Sequence, residues 1–491
     1  MTLESKLSEL TEKIAANNIW RQKQCFNLIP SENTPSLFVK LCEIGDPSGR
    51  YAEHKTALKK EIDSLSGTGA LKGDQVYYYQ GAEFIHQIEQ LLKTEFAAYI
   101  GGTDVETRPV SGQMANEIVF KGLVKFLTSK PEGFPELGAS RRLLCVMNND
   151  LTFGGHLSAQ PYGALYNLSE DNIVNFPVSA KNPYKTDIDK MLELAAKHRP
   201  ALIIFGKSMF LHPEPIRAMR EFIDTIPGYR PLVMYDGAHV LGILGPRFQD
   251  PLAEGALVVT GSTHKTFFGP QRGIIAAKLP KPPNDAPYRK LWTEIVARTF
   301  PGATSNHHLG TQLAMLAATI EMNAFKDEYQ KQTLSNARAF AKACAGAGIP
   351  VEGGEDEGFT YTHQVILRVS AFGDAKEIAS RLESNNIIVN YQALPDDETF
   401  YHPSGLRMGV QEMTRFGMKE QDFDALAHFI ADIILKKKNP AKETAEFRGR
   451  FTNMEYCLTP EQTAKIAPKL LTTVFPDKKL LDEFVKVLGN S

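Results

Sequence analysis

A chain of 491 residues, 43% hydrophobic and 23% charged, is long enough for roughly two to four units with buried cores, and this balance excludes wholesale disorder and fibrous architecture. Lys+Arg number 55 against 57 for Asp+Glu, a formal net charge of -2 that offers no footprint for nucleic acid or an anionic membrane, so a small-molecule partner is expected. Five scattered cysteines (Cys25, Cys42, Cys145, Cys344, Cys457) without a CxxC pair exclude a readable disulfide framework or zinc site and suit reduced thiols, with no metal expected.

The N-terminal stretch MTLESKLSELTEKIAANNIW mixes charges and lacks the apolar core of a signal peptide, and no apolar run reaches the length of a membrane span, so a soluble cytoplasmic protein is expected. Residues 1–50 read as an N-terminal arm and 51–320 as a large α/β unit. There, a helical pattern at Asn116–Leu127 precedes short β-rich runs at Leu143–Met147, Ala201–Gly206, Leu232–Tyr235, Ala256–Thr260 and Gly273–Ala277. Helical patterns at Asp187–Lys197 and Glu214–Thr225 fall between these runs, and such alternation predicts a largely parallel sheet. A smaller α+β unit is predicted over 321–491, with the boundary near 310–330. It holds a long helix at Ala324–Ala347, a strand at Val365–Val369 and helices at Ala375–Asn385 and Met418–Leu435. The polar break Lys436–Pro440 opens a tail of about fifty residues with no legible function.

The chemistry concentrates at strand ends. Val258–Ser262 runs into a hydroxyl-rich turn that carries His264 and Lys265, and a lysine desolvated there can form a Schiff base with a carbonyl. Leu232–Tyr235 ends at Asp236, followed by Ala238 and His239. In a parallel sheet, ligands collect outside the carboxyl ends of strands, so Asp236 and Lys265 can converge. An aspartate and a Schiff-base lysine are what pyridoxal phosphate requires, the acid keeping the pyridine nitrogen protonated. Ser111, Gly112 and Gln113, at the start of a helix, can hold a phosphate through backbone N–H groups. Each piece also has an ordinary reading: a solvated lysine, a turn aspartate, a helix cap.

Taken in order, LIPSEN (Leu28–Asn33), RYAE (Arg50–Glu53), YYQGAE (Tyr78–Glu83), SGQMAN (Ser111–Asn116), GGHLS (Gly154–Ser158), DGAH (Asp236–His239), STHKT (Ser262–Thr266), FPG (Phe300–Gly302) and SGLRMG (Ser404–Gly409) resemble the serine hydroxymethyltransferase family over about residues 20–435. The resemblance implies the fold-type I pyridoxal-phosphate architecture: a large domain with a mostly parallel seven-stranded sheet between helices and a smaller α+β C-terminal domain. It implies that Lys265 carries the cofactor, that Asp236 faces the ring nitrogen, and that His156 stacks on one ring face with Ala238 on the other. Ser208 and His239 would contact the phenolic oxygen or the substrate, Arg407 would clamp the amino acid carboxylate, and Glu32, beside Ser31, would handle a proton at the hydroxymethyl position. Tyr51, Tyr78 and Tyr79 would line the site, partly from a neighbouring subunit, in a homodimer or tetramer.

Departures from the family pattern bear on the acceptor. Gln113 replaces the third residue of Ser-Gly-Ser, Ser305–Asn306 replace a glycine pair, and Gln392 stands where an asparagine meets the pterin. The loop Thr266–Gly273, the insertion between residues 54 and 76 and the tail also depart. Three readings follow: a hydroxymethyltransferase using serine, or an α-substituted serine such as α-methylserine, with tetrahydrofolate; a folate-independent threonine aldolase or transaldolase; and a non-catalytic cofactor or amino-acid binder.

Overall fold

The computed structural model describes residues 2–170, 172–474 and 477–489. Its centre is a seven-stranded sheet whose strands, numbered in chain order, are β1 (Asp104–Glu106), β2 (Val146–Asn149), β3 (Ile173–Phe176), β4 (Leu202–Phe205), β5 (Leu232–Asp236), β6 (Val258–Ser262) and β7 (Gly273–Ala277). Their spatial order is β1-β7-β6-β5-β4-β2-β3. Only β7 runs against the others. β4 and β5 are apolar along nearly their whole length because helices cover both faces. Ile203, Phe205, Val233 and Tyr235 feed one core, while Leu202, Ile204, Leu232 and Met234 feed the other. In the second core the helices Gly112–Leu127 and Ala286–Thr299 cross closely at Gly122, where a Cβ would lie 2.8 Å from Ile295 Cγ1.

Two strands escape the sequence pattern, and both lie at sheet edges. β1 and β3 are short, with Asp104, Glu106 and Asn175 among their seven residues, so neither presents an apolar run. β2 begins three residues later than the pattern suggests. Its last two residues, Asn148 and Asn149, are buried, and the Asn149 amide is satisfied by the Gly206 carbonyl at 3.2 Å and by Glu214 at 3.1 Å.

The helix expected from residue 324 begins fifteen residues earlier and spans Leu309–Gly346. Its first half is buried nearly all round, which removes the polar stripe that marks an amphipathic helix. The predicted boundary near 310–330 therefore falls inside one continuous helix. Beyond it, Gly405–Gly409 is the middle strand of a three-stranded antiparallel sheet, between Gln364–Arg368 and Asn390–Gln392. The helices Ala375–Ser384 and Glu420–Leu435 pack with this sheet in a separate core. The arm joins this core rather than the large sheet: Phe26–Asn27 pair parallel with Ile387–Ile388, and Phe26 and Leu28 are buried there. Residues 54–77 form a small three-stranded sheet with a helix at Lys59–Leu65. The tail adds helices at Ala441–Arg448, Pro460–Val474 and Lys478–Gly489. Buried Arg448 ties its start to the arm by donating to the carbonyls of Gln22 (2.7 Å) and Cys25 (2.8 Å). Among the described residues no helix is long and apolar enough to cross a membrane.

Candidate active site

Parallel pairing of β5 with β6 places Asp236 opposite Thr260, so the turn after Ser262 rises beside the end of β5. Lys265 lies 3.4 Å through Nζ from His239 Nε2. Burial lowers its ammonium pKa to about 8, with the Arg407 charge adding to the effect and Asp236 opposing it. His239 is buried and held well below the usual imidazole range, first by desolvation and then by Lys265. Its Nδ1 has no hydrogen-bond partner among the described residues. Burial pushes the Asp236 carboxyl up, but His156, the Asn116 amide and the Ala238 N–H together hold it well below the usual carboxylate range. The contacts are 2.8 Å from Asn116 Nδ2, 3.0 Å from the Ala238 N–H and 3.0 Å from His156 Nδ1. Ala238 thus meets Asp236 through its backbone, and His156, which also bonds Ser158, sits at the carboxylate's edge.

Ser111 caps the helix Gly112–Leu127 by accepting from Met114 N at 3.1 Å. The N–H groups of Gly112 and Gln113, in the first turn, have no intrahelical acceptor. A Cβ at Gly112 would fall 2.4 Å from Ser262 Oγ, so only glycine brings this helix start so close to the strand end. The Gln113 side chain is exposed. His264, next to Lys265, is lowered to about 4 by burial and by the lysine, and its Nδ1 also lacks a partner among the described residues.

Arg407, on the middle strand of the small sheet, is 9% exposed and donates from Nη1 to the Ser208 carbonyl at 2.8 Å. Ser208 therefore meets the arginine through its backbone. Asn390, directly across the strand pair, accepts from Arg407 Nε at 3.4 Å. No carboxylate pairs with this guanidinium among the described residues, and burial lowers its pKa to about 10. Ser31 and Glu32 line a cavity of about 540 Å³ together with Arg21, His264, Gln271 and Glu412, and Glu32 forms an ion pair with Arg21.

Tyr51, Tyr78 and Tyr79 are 54%, 55% and 41% exposed. They form an aromatic patch in which Tyr51 and Tyr79 lie 5.2 Å apart and Tyr78 lies 5.9 Å from Phe300. None hydrogen-bonds Lys265, Asp236 or Arg407 among the described residues. Asn306, in place of a family glycine, holds this region by donating to the Arg50 carbonyl at 2.6 Å and accepting from Ala52 N at 3.3 Å.

Four further residues belong to the constellation. Asn116 bridges Asp236 to Thr260, whose Oγ1 is 2.6 Å from Asn116 Oδ1, and Ser158 links His156 to the same carboxylate. Asn33 donates to the Lys265 carbonyl at 2.8 Å. The last residue of each of SGQMAN, GGHLS and LIPSEN carried the signal for Asn116, Ser158 and Asn33, since each motif ends on a polar residue with no role of its own in the chain of expected contacts, whereas Thr260 lies in none of the motifs.

The serine hydroxymethyltransferase model matches residues 72–430. The serine hydroxymethyltransferase of Pyrobaculum arsenaticum is 38% identical over 458 residues, 92% of this chain and 95% of that protein. That of Archaeoglobus fulgidus is 35% identical over 435 residues, 87% and 88% of the two chains. The chain belongs to the serine hydroxymethyltransferase family. Among solved structures, the L-threonine transaldolase from Pseudomonas fluorescens in its internal aldimine state superposes with a TM-score of 0.76 at 25% identity, covering 95% of this chain and 97% of that one. As a member of the family, the protein is a fold-type I pyridoxal-phosphate enzyme of the hydroxymethyltransferase and aldolase kind, acting on small molecules. The residues present fit the cofactor: a lysine of depressed pKa, a buried carboxylate kept ionised, and a glycine-dependent helix start meet at one end of the sheet.

Proposed function

We propose that the chain makes and breaks the Cα–Cβ bond of serine, passing the one-carbon unit to and from tetrahydrofolate. The observation that carries this reading is the buried Arg407, paired with no carboxylate among the described residues and close enough for its charge to act on both Lys265 and His239. Lys265 would hold pyridoxal phosphate through its aldehyde until the substrate amine displaces the lysine, and the bound group would then supply the electron sink for the charge left on Cα. Asp236 keeps the ring nitrogen protonated, held in place by Asn116. Ser111, Gly112 and Gln113 donate to the phosphate from the positive end of their helix, with His264 beside them. His156 and Ala238 pack about the ring. Arg407 receives the substrate carboxylate in its planar fork and so fixes which bond at Cα is set to break. Glu32, beside Ser31, takes the proton from the β-hydroxyl. His239, neutral and hydrogen-bonded to Lys265, and Ser208 orient the reacting end. Tyr51, Tyr78 and Tyr79 line a site completed by a second copy, in a homodimer or tetramer. The five unpaired thiols agree with a reducing, cytoplasmic setting.

A folate-independent exchange on threonine is the second reading, favoured by the likeness to the Pseudomonas fluorescens transaldolase and by Gln392 at the pterin position. Titrating the purified protein with glycine, with and without tetrahydrofolate, separates the two. Strong enhancement of the long-wavelength visible band by tetrahydrofolate is the expected result. A band that develops fully with glycine alone and ignores folate overturns the first reading in favour of the second.

A further inference from the structure

The tail that the chemistry leaves unused returns to the loop of the reactive lysine. Beyond the helix Ala441–Arg448, the chain crosses the long helix and buries Tyr456, which is 9% exposed. Tyr456 adopts φ 60°, a left-handed conformation that is disfavoured for a residue with a Cβ and persists only where the surroundings fix it. That conformation turns its ring onto Tyr329 (centroids 5.4 Å apart, 62°) and Phe325 (6.5 Å, 77°).

Tyr329 is fully buried, and its hydroxyl donates to the carbonyl of Thr266, the residue after Lys265, at 2.8 Å. Asn33, which holds the Lys265 carbonyl, also reaches the Tyr329 hydroxyl at 3.4 Å. The Tyr329 ring meets Phe268 edge-on at 5.1 Å. A second route runs beside the first. The Arg415 guanidinium lies 3.7 Å over the Phe268 ring, and its other contacts come from the same tail: Nη2 reaches Met454 Sδ at 2.8 Å, and its carbonyl accepts from Glu455 N at 2.6 Å. Glu455 is itself paired with Lys419 at 3.0 Å. On its other flank the loop is held by the large domain, where Thr266 Oγ1 bonds the His239 carbonyl and the Gly242 N–H, each at 2.9 Å.

We propose that Met454–Tyr456 form a strap that positions Lys265, with Tyr456 and Tyr329 as positioning residues that fix the backbone of Thr266–Phe268 from the side opposite His239. The strap rests on the reading of Lys265 as the cofactor lysine. Without it the flank opposite His239 keeps only Asn33 and an unbraced Tyr329, and the lysine amine loses part of the confinement that both desolvates it and aims it at the crevice.

Hydrogen exchange of the full-length protein, with and without pyridoxal phosphate, tests this. Tyr456→Ala is expected to raise exchange of residues 263–269 by about tenfold or more while β3 and β4 keep their protection. Tyr456→Phe, which retains the ring, is expected to match the wild type. Tyr329→Phe keeps the ring stack and removes only the hydrogen bond to Thr266, so it is expected to loosen the same segment even if Tyr456→Ala fails to fold. In the cofactor-free chain, the pH midpoint for acylation of Lys265, expected near 8, should move upward in Tyr456→Ala and Tyr329→Phe but not in Tyr456→Phe. Unchanged exchange over 263–269 in Tyr329→Phe, or a rise spread evenly across the sheet, overturns the strap. The assignment of the lysine fails separately, if Lys265→Ala retains the borohydride-sensitive colour of bound cofactor.

Discussion

The crevice at the ends of β5 and β6 and the tyrosine patch come from separate motifs of one series, yet they are finished to different degrees. Around Lys265, Asp236 and Arg407 the groups are buried or half-buried and bonded to named partners of the same chain. Tyr51, Tyr78 and Tyr79 stand about half exposed, Tyr51 against Tyr79 and Tyr78 against Phe300. A single copy therefore pre-organises the lysine end by itself and leaves the tyrosine end exposed, the end that the proposed reading assigns to a second copy.

The contrast can be broken most severely at its buried end. Lys265→Ala is expected to cost roughly a thousandfold or more in kcat. Replacing the same residue also tests its burial. The folded-state pKa of about 8 lies below the ordinary lysine value of 10.5, so between those pH values the unfolded chain binds more protons and stability rises with pH. Lys265→Met is therefore expected to stabilise the cofactor-free chain by up to about 3 kcal/mol at pH 7, a gain that shrinks as pH rises from 8 and vanishes above about 10.5, read by urea denaturation across pH. Arg407→Lys keeps the charge and loses the fork. Its expected signature is a rise in KM for serine of about a hundredfold with a smaller change in kcat, since a point charge cannot hold both carboxylate oxygens. Tyr79→Ala marks the smallest effect on the chain itself: a stability change within about 0.5 kcal/mol in dilute solution, with any loss of activity appearing as a dependence on protein concentration.

How much was legible in the sequence follows from the same physics. β4 to β7 and the turns that follow β5 and β6 could be read because fully buried strands are apolar along nearly their whole length. β1 and β3 could not, being short edge strands with acidic and amide residues. The long helix was visible only where one face meets solvent, from about residue 324, and disappeared where it is wrapped by apolar neighbours. Of the site, the motifs pointed to Lys265, Asp236 and Arg407 as a set, whereas the contacts of Asn116, Asn33 and Tyr329 depend on approaches between residues 120, 232 and 63 positions apart that no local pattern records. The tail was silent for the same reason: Tyr456 matters through Tyr329, which is distant in sequence and gives no periodic signal.

The helix Leu309–Gly346 carries one more implication. At 38 residues it is about 57 Å long and contributes side chains to both the core under the large sheet and the core behind the strand that carries Arg407. Near its middle, Tyr329 is pinned to the backbone beside Lys265. A rod fastened at three points resists flexing between the halves it joins. Any drawing-together of the arginine and the lysine around a substrate must therefore be accommodated by side chains and loops at the crevice rather than by pivoting one lobe against the other.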